Sequence, residues 1–275
     1  MKLTACLVLL LLATVAGAAP RPLRSNEQAV INFGFATQLG SGIYSISGRT
    51  LQVYRLPFGY TPARDESSRL AWRLTLPLTI GFLDFKAHDV VDNGLPQQFD
   101  TYSFVPGVEL DYAVTDAWTL QPFAEAGVAR DRNADVDQRV YSVGLRTRYD
   151  FARGPVDWQA YGEVVRVVVE QASLDGTDDF TRVRVGLTAR RPFTAQRSGR
   201  RPDYLVYGFT EAFTDAPAGP AGERDGGAEL QYEMGVTFGA TETPRIWRIP
   251  LPRVGLGYRF GDGLSVYRIV FGSPY

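Results

Sequence analysis

The sequence predicts an all-β fold, a transmembrane antiparallel β-barrel of about twelve strands closed on itself. Two stretches and one absence lead there. In Leu70–Phe82, Leu70, Trp72, Leu74, Leu76, Leu78, Ile80 and Phe82 take every second position, with Ala71, Arg73, Thr75, Pro77, Thr79 and Gly81 between them. This alternation runs about twice the ~5–6 residues usual in a soluble sandwich and matches a tilted membrane strand. Near the end, VGLGYRFGDGLSVYRIVFGSPY reads as a hairpin. Val254, Leu256, Tyr258 and Phe260 share one face of its first strand; Arg253, Gly255, Gly257 and Arg259 share the other. Gly261-Asp262-Gly263 tolerates the positive φ of a tight turn, after which Tyr267, Ile269 and Phe271 oppose Arg268. Arginine and glycine on the polar face suit a strand between hydrocarbon and a crowded, wet lumen. Lipid cannot satisfy a bare N–H or C=O, so this last strand, ending near Phe271–Tyr275, must pair with the first. The absence is of any apolar run approaching ~18 residues beyond the N-terminal segment, which excludes spanning helices.

Residues 1–18 read as a cleaved secretory signal. Lys2 supplies the positive start, Leu7–Val15 the apolar core and Ala16-Gly17-Ala18 the small residues before a cut. Cutting after Ala19 would put Pro20 at the scissile bond, so the expected cut follows Ala18. Leu3-Thr4-Ala5-Cys6 has the outline of a lipoprotein box, but no apolar core precedes it. Cys6 is the single cysteine, so the mature chain carries no thiol or disulfide and suits an oxidising periplasm.

Residues 19–28 are a short polar lead, and the barrel occupies 29–275. Val30–Leu39 opens the strands with Ile31, Phe33 and Phe35 alternating. Ile43–Phe58 continues them, with Gly48 as a kink or turn. Thr61–Ser68 is a polar turn. In the strand that follows, Pro77 lacks a ladder donor and predicts a local bulge or a weak pair. After a long polar loop (Lys86–Asp100), Phe104–Val114 sets Val108, Leu110 and Tyr112 against Glu109 and Asp111. Thr115-Asp116 turns tightly. Trp118–Val128 sets Trp118, Leu120, Pro122, Ala124 and Val128 against Gln121, Phe123 and Glu125. Asp131–Asp137 is a charged loop. Tyr141–Phe151 sets Val143, Leu145 and Tyr149 against Arg146, Arg148 and Asp150, and Arg153-Gly154-Pro155 turns the chain.

Val156–Val169 is ambiguous, because Trp158 and Val165 have opposite parity; a bulge near Val164 would reconcile them. Beyond a loop at Gln171–Asp179, Val183, Val185 and Leu187 face away from Arg182, Arg184 and Arg190. Pro192–Pro202 is a basic connection, Tyr204–Phe213 a strand, and Thr214–Gly227 a flexible loop. Leu230, Tyr232, Met234, Val236 and Phe238 then oppose Glu229, Gln231 and Glu233, and Thr241–Pro250 leads to the closing hairpin. The expected lipid face is Leu74, Leu76, Leu78, Ile80, Leu110, Leu120, Val143, Leu145, Val185, Leu187, Val236, Leu256 and Ile269. Tyr267, Ile269, Phe271 and Tyr275 form the closing strand and its C-terminal signal.

With the N-terminus periplasmic, every tryptophan (Trp72, Trp118, Trp158 and Trp247) falls in or just beyond a periplasmic turn. Indole prefers the headgroup layer, so the four form an expected aromatic belt on that side. The longer loops then lie outside. Partners implied are the lipid bilayer of an outer membrane and the barrel-insertion machinery during assembly.

With 29 basic and 30 acidic residues, net −1, the chain has no electrostatic footprint for nucleic acid. Its only lysines are Lys2 and Lys86. The arginine bias reflects either genome composition or a need for forked donors to carboxylates in confined space. A hydrolase at the rim would draw on His88, the single histidine, with Asp89 or Asp92 as its orienter and a serine such as Ser173. A solvated loop histidine beside acidic residues is the plainer account. Asp89, Asp92 and Asn93 lack a calcium-loop pattern, and phosphate loops and paired cysteines are absent, so no cofactor or metal is expected.

The informative polar set faces inward: Glu109, Asp111 and Glu125 on neighbouring strands, Arg146, Arg148, Arg182 and Arg184 on the next, and Glu229, Glu233, Arg253, Arg259 and Arg268 on the closing ones. Two readings stand open. The set is a salt-bridged filling of a narrow lumen, or the two walls of a small-solute pore.

The closing GLGYRFGDGLSVYRIVFGSPY, with AWRLTLPLTIGFLDF, SFVPGVELDY and WTLQPFAEAG, resembles the solitary outer-membrane autotransporter-like β-barrel family. The likeness covers most of the mature chain. It implies a translocator-like barrel without a secreted passenger, and the short lead agrees, being too short to cross a lumen and present a domain. The resemblance carries over no catalytic residues. The function expected is a non-enzymatic structural or surface barrel, with a narrow pore and a rim hydrolase as alternatives. A soluble periplasmic β-protein is the non-membrane alternative.

Overall fold

The computed structural model describes residues 41–274 apart from 47–48, 63–67, 84–100, 133–135, 172–175, 195–200, 215–228, 241–244, 247–248, 251–252, 262–263 and 273. The expected signal and lead, the strand at Val30–Leu39, Trp247, Tyr275, His88, Asp89, Asp92, Asn93 and Ser173 lie outside the described residues. Glu229 opens a strand, but its side chain is not among those described.

The strands are β1 (Gly42–Ile46), β2 (Arg49–Tyr60), β3 (Leu70–Leu83), β4 (Thr101–Phe104), β5 (Gly107–Ala113), β6 (Trp118–Asp131), β7 (Val136–Arg153), β8 (Val156–Gln171), β9 (Gly176–Pro192), β10 (Pro202–Thr214), β11 (Glu229–Ala240), β12 (Arg245–Ile246), β13 (Ile249–Pro250), β14 (Val254–Gly261) and β15 (Leu264–Phe271). β12 and β13 form a separate ribbon; the other thirteen form one antiparallel sheet. β4 and β5 are two halves of one stave between β3 and β6, so the sheet is a ring of twelve. Closure comes from β15 on β1, through Ile43↔Tyr267, Tyr44↔Val266 and Ser45↔Ser265. The Arg268 Nε donates to the Ser41 carbonyl at 3.0 Å and extends that seam by a side-chain bond. Those pairs close the ring among the described residues, as a lipid environment demands.

β1 and β2 pair from Ile46↔Arg49 to Gly42↔Val53, so Ile43–Phe58 is two strands, and Gly48 between them lies outside the described residues. The weak pair expected at Pro77 takes a definite form. Pro77 faces Pro57, a second residue without an N–H. On its other side the ladder is interrupted between Leu78↔Phe104 and Thr75↔Gly107, which is where β4 gives way to β5. The bulge expected near Val164 is absent. The β7–β8 register runs unbroken from Gln138↔Gln171 to Arg153↔Val156. Trp158 and Val165 have opposite parity because they face opposite sides: Val165, Val167 and Val169 are buried in the barrel.

Outward residues are apolar over the middle of the ring. Leu256 is 66% exposed, with Val143, Leu145, Val185, Leu187, Leu110 and Ile269 also exposed. Leu74, Leu76, Leu78 and Ile80 alternate with the buried Pro77 and Thr79. Leu120 and Val236 share the faces of exposed Ala124 and Phe238, respectively. The lower end, defined by the short turns at 114–117 and 154–155, carries Trp72, Trp118 and Trp158 on the outer surface. Trp72 meets Tyr60 edge-on at 6.4 Å, Trp158 stacks on Phe151 at 6.2 Å, and the Trp118 Nε1 donates to the Thr147 hydroxyl at 2.8 Å. A second girdle, not read from the sequence, rings the upper end: Tyr54 with Phe82 at 6.0 Å, Tyr232 with Phe260 at 5.6 Å, and Tyr258 with Tyr267 at 5.1 Å.

Above that girdle β6–β9 continue and their polarity inverts. Val136, Val140, Val167, Val169 and Phe180 point inward and are buried. Arg130, Asp137, Arg139 and Asp179 point outward, with Arg130 bonded to Asp137 and Arg166 to Asp179. An apolar inside and a charged outside is the pattern of a strand leaving hydrocarbon for water. These strands are therefore longer than the sequence reading allowed. β7 starts at Val136 and β9 at Gly176, inside the stretches assigned to the loops Asp131–Asp137 and Gln171–Asp179.

Candidate functional site: the ionic belt of the lumen

Narrow barrels are filled by their inward side chains. Here the filling is layered. Successive register partners Gln121↔Arg146, Arg146↔Glu163, Glu163↔Arg184, Arg184↔Glu211 and Glu211↔Gln231 form one row across β6–β11. Charges alternate in sign along it, so Glu163 lies between two guanidinium forks, while Glu211 lies between Arg184 and the amide of Gln231. Arg146 donates to Glu163 at 2.6 Å and bonds Glu109; Arg182 reaches the other oxygen of Glu163 at 2.6 Å. Arg73 adds contacts to Glu109 at 3.3 Å and Asp111 at 3.4 Å. Gln121 donates to Asp111, and the Tyr161 hydroxyl to Glu163 at 2.9 Å.

A second cluster centres on Glu211 and Glu233. Arg184 meets Glu211 at 2.6 Å and Arg259 meets it at 2.5 Å. Arg259 also bonds Glu233 at 2.8 Å, and Arg268 bonds Glu233 at 2.5 Å. The Tyr207 hydroxyl donates to Glu233 at 2.8 Å. Its ring lies over a floor of glycine: a Cβ on Gly257 would stand 2.2 Å from the Tyr207 oxygen, and one on Gly235 2.6 Å from it. Arg146 stacks over Phe123 at 3.8 Å and Arg184 over Phe209 at 4.7 Å, so the guanidinium faces are covered as well as their edges. Arg259, Glu211 and Glu233 have no accessible side-chain surface.

Over this belt lies an apolar cap, a contiguous cluster that includes Val53, Val105, Val140, Val165, Val167, Val169, Phe180, Phe213 and Val266. Phe180 and Phe213 meet at 6.2 Å. Beneath the belt the walls stay polar and several of their arginines are partly exposed. Asp203 bridges Arg190 at 2.8 Å and Arg253 at 2.5 Å. Arg148 pairs with Asp150 at 3.2 Å near the lower rim, with 37% of its side chain exposed. Glu125 stands higher, level with the cap: it faces inward opposite Ser142, itself opposite Val167, and accepts from the Ser142 hydroxyl at 2.8 Å. The lumen thus grades from a partly exposed polar vestibule, through a largely buried ionic belt, to a largely apolar cap.

Of the inward charges expected from the sequence, Glu109, Arg146, Arg182, Arg184, Glu233, Arg259 and Arg268 meet in the belt. Asp111 sits at its lower edge. Arg148 and Arg253 belong to the vestibule instead. Arg73, Glu163, Glu211 and Asp203 were missed. Glu163 lies on the strand whose parity looked broken, and a straight register over Val156–Gln171 would have placed it opposite Arg146. Glu211 and Asp203 share the inward face of β10 with Tyr207, Phe209 and Phe213, and that aromatic face disguised which side was wet. Among the described residues no cluster of histidine, cysteine or carboxylates is arranged to hold a metal ion.

No family profile matches the chain, and no curated protein matches it by sequence. Solved structures match by shape. The β domain of the Bordetella autotransporter BrkA aligns with a TM-score of 0.56 at 14% identity, covering 83% of this chain and 93% of that one. The translocator domain of the autotransporter NalP from Neisseria meningitidis gives 0.52 at 12% identity, covering 83% and 81%. The likeness read from the closing hairpin and the three internal phrases agrees with these neighbours. The chain is similar to autotransporter β domains in architecture.

Proposed function

We propose that the chain serves as a non-enzymatic outer-membrane barrel with a structural or surface role, its lumen closed by the ionic belt and the apolar cap. The lower end faces the periplasm and the upper end the cell exterior. The observation that carries this reading is the full burial of Arg259, Glu211 and Glu233 beneath a dry layer of valine and phenylalanine. An ion crossing that layer would meet valine and phenylalanine with only Gln138, Ser142 and Arg182 among them, and would lose hydration against the apolar groups. Below it, each buried carboxylate is already engaged by one or more arginines, which favours a filled wall over a selective track.

Reconstitution into planar bilayers tests this. A folded, heat-modifiable barrel that passes no steady current supports the reading. Reproducible ion-selective steps from the unmodified chain would replace it with the narrow small-solute pore.

A further inference from the structure

The outer wall carries a charged patch that the closed lumen does not use. Over most of the ring, the outward residues at the upper girdle are aromatic or aliphatic: Tyr54, Phe104, Val128, Tyr232, Phe260 and Tyr267. On β7 and β8 charge interrupts them: Arg139 and Arg166 share the outer face with Tyr141 and Val168, and Glu170 stands directly opposite Arg139. Arg166 follows Val164 on the outer face of β8, and Arg139 follows Tyr141 and Val143 on that of β7, with Arg130 alongside on β6. The register Val143↔Arg166 and Tyr141↔Val168 sets Arg166 and Tyr141 diagonally adjacent, ~7–8 Å between backbones, with Arg139 one outward position above. The polarity inversion gives the height of this patch. Below Arg166 and Tyr141 the wall is apolar; Val168 still faces out level with Tyr141, and above that row Val136 and Val140 turn inward while Asp137, Arg139 and Glu170 face out. The hydrocarbon boundary therefore passes through the patch, and what lies against it is a lipid headgroup.

We propose that Arg139 and Arg166, flanking Tyr141, bind the phosphate-bearing headgroup of an outer-leaflet lipid. The guanidinium forks suit the phosphate oxygens, and the phenol stands at the depth where the headgroup meets the acyl chains. Arg166 is held in place by Asp179 and by the Thr181 hydroxyl, which it reaches at 3.0 Å. Arg139 is exposed and makes no ion pair among the described residues, so its donors are open to a ligand. Acyl chains would lie along Val143, Leu145 and Val164 below. The two arginines project from the outside of the barrel, so the site does not depend on whether the lumen conducts. It does rest on the outer-membrane placement.

The test uses the full chain, folded in zwitterionic detergent and titrated by native mass spectrometry with bisphosphorylated lipid A, with its dephosphorylated form, and with inorganic phosphate. Arg139→Gln and Arg139→Gln/Arg166→Gln are compared with Arg148→Gln at the opposite rim. Heat-modifiable migration and insertion into liposomes are scored separately, so failure of the membrane placement is distinct from failure of the site. The expected result is binding of the phosphorylated lipid about tenfold tighter than of the dephosphorylated one, lost in the double variant, reduced in Arg139→Gln and unchanged in Arg148→Gln. Should Arg166→Gln prevent folding, Arg139→Gln alone decides. Equal binding of the two lipids, an Arg139→Gln chain that binds as the parent does, or displacement by inorganic phosphate at the lipid's own concentration would each overturn the proposal.

Discussion

Arg259 on β14 and Glu211 on β10 meet at 2.5 Å although β11 stands between their strands, and neither side chain reaches solvent. The contact crosses the chord of the lumen rather than following the wall. It locks together staves that share no backbone hydrogen bond, so it resists ovalisation of the ring.

Removing one partner of such a contact leaves the others stranded. Glu211→Ala deprives both Arg184 and Arg259 of a carboxylate in a dry layer and should cost about 3–5 kcal/mol, read as a lower denaturant midpoint in lipid or detergent. Arg148→Ala breaks a half-exposed pair at the lower rim and should fall within ~1 kcal/mol, shrinking further in high salt. Equal losses for the two variants would mean that the belt is hydrated.

The glycine floor under Tyr207 should be intolerant of side chains. Gly257→Val places a Cβ 2.2 Å from the Tyr207 oxygen and 3.0 Å from the Glu233 carboxylate, both of them buried. Overpacking of ~1–3 kcal/mol or more is expected, with a smaller heat-modifiable fraction on semi-native gels. Adding Tyr207→Ala should recover assembly, because it vacates the space that the new side chain needs. No recovery would place the fault elsewhere in β14.

On the proposal of a closed lumen, cap and belt are two barriers in series, so opening one should not open the channel. Phe180→Ala with Phe213→Ala removes a pair of buried rings and should destabilise by ~3–5 kcal/mol per ring, yet bilayer recordings should stay silent while the belt below persists. Currents from this variant would show that the cap alone held the lumen closed.

On the perimeter, depth should set the cost of a charge. Leu256→Arg, at one of the most exposed apolar positions, should cost about 2–4 kcal/mol, while Tyr149→Arg at the lower aromatic girdle should cost only ~0–1 kcal/mol by lipid-based refolding. A reversed order would move the hydrocarbon band along the barrel axis.

Much of the wall was legible from period alone. Leu70–Phe82 and the Val254–Phe271 hairpin announce which residues face away from which, and that assignment survives in the structure residue by residue. Reading failed where the rule linking parity to compartment changes. Val136–Val140 and Val165–Val169 kept the period but reversed its meaning, because above the membrane the apolar face must turn inward. A scan for outward leucine takes that reversal for a loop or a bulge. Glu211 and Asp203 were hidden for a related reason, since β10 packs three aromatic rings on its wet side.

The sequence by itself determined a strand-built membrane protein, closed by its final hairpin and lined with arginine and carboxylate. Only the tertiary structure decided which charges meet, that Arg148 and Arg253 fall below the belt, and that valine and phenylalanine cap it. The physical reason lies in the tilt of the staves. Each strand slides along its neighbour, so residues far apart in the chain reach one height only once the ring has closed. Alternation records a side chain's face, while height and compartment are properties of the closed ring.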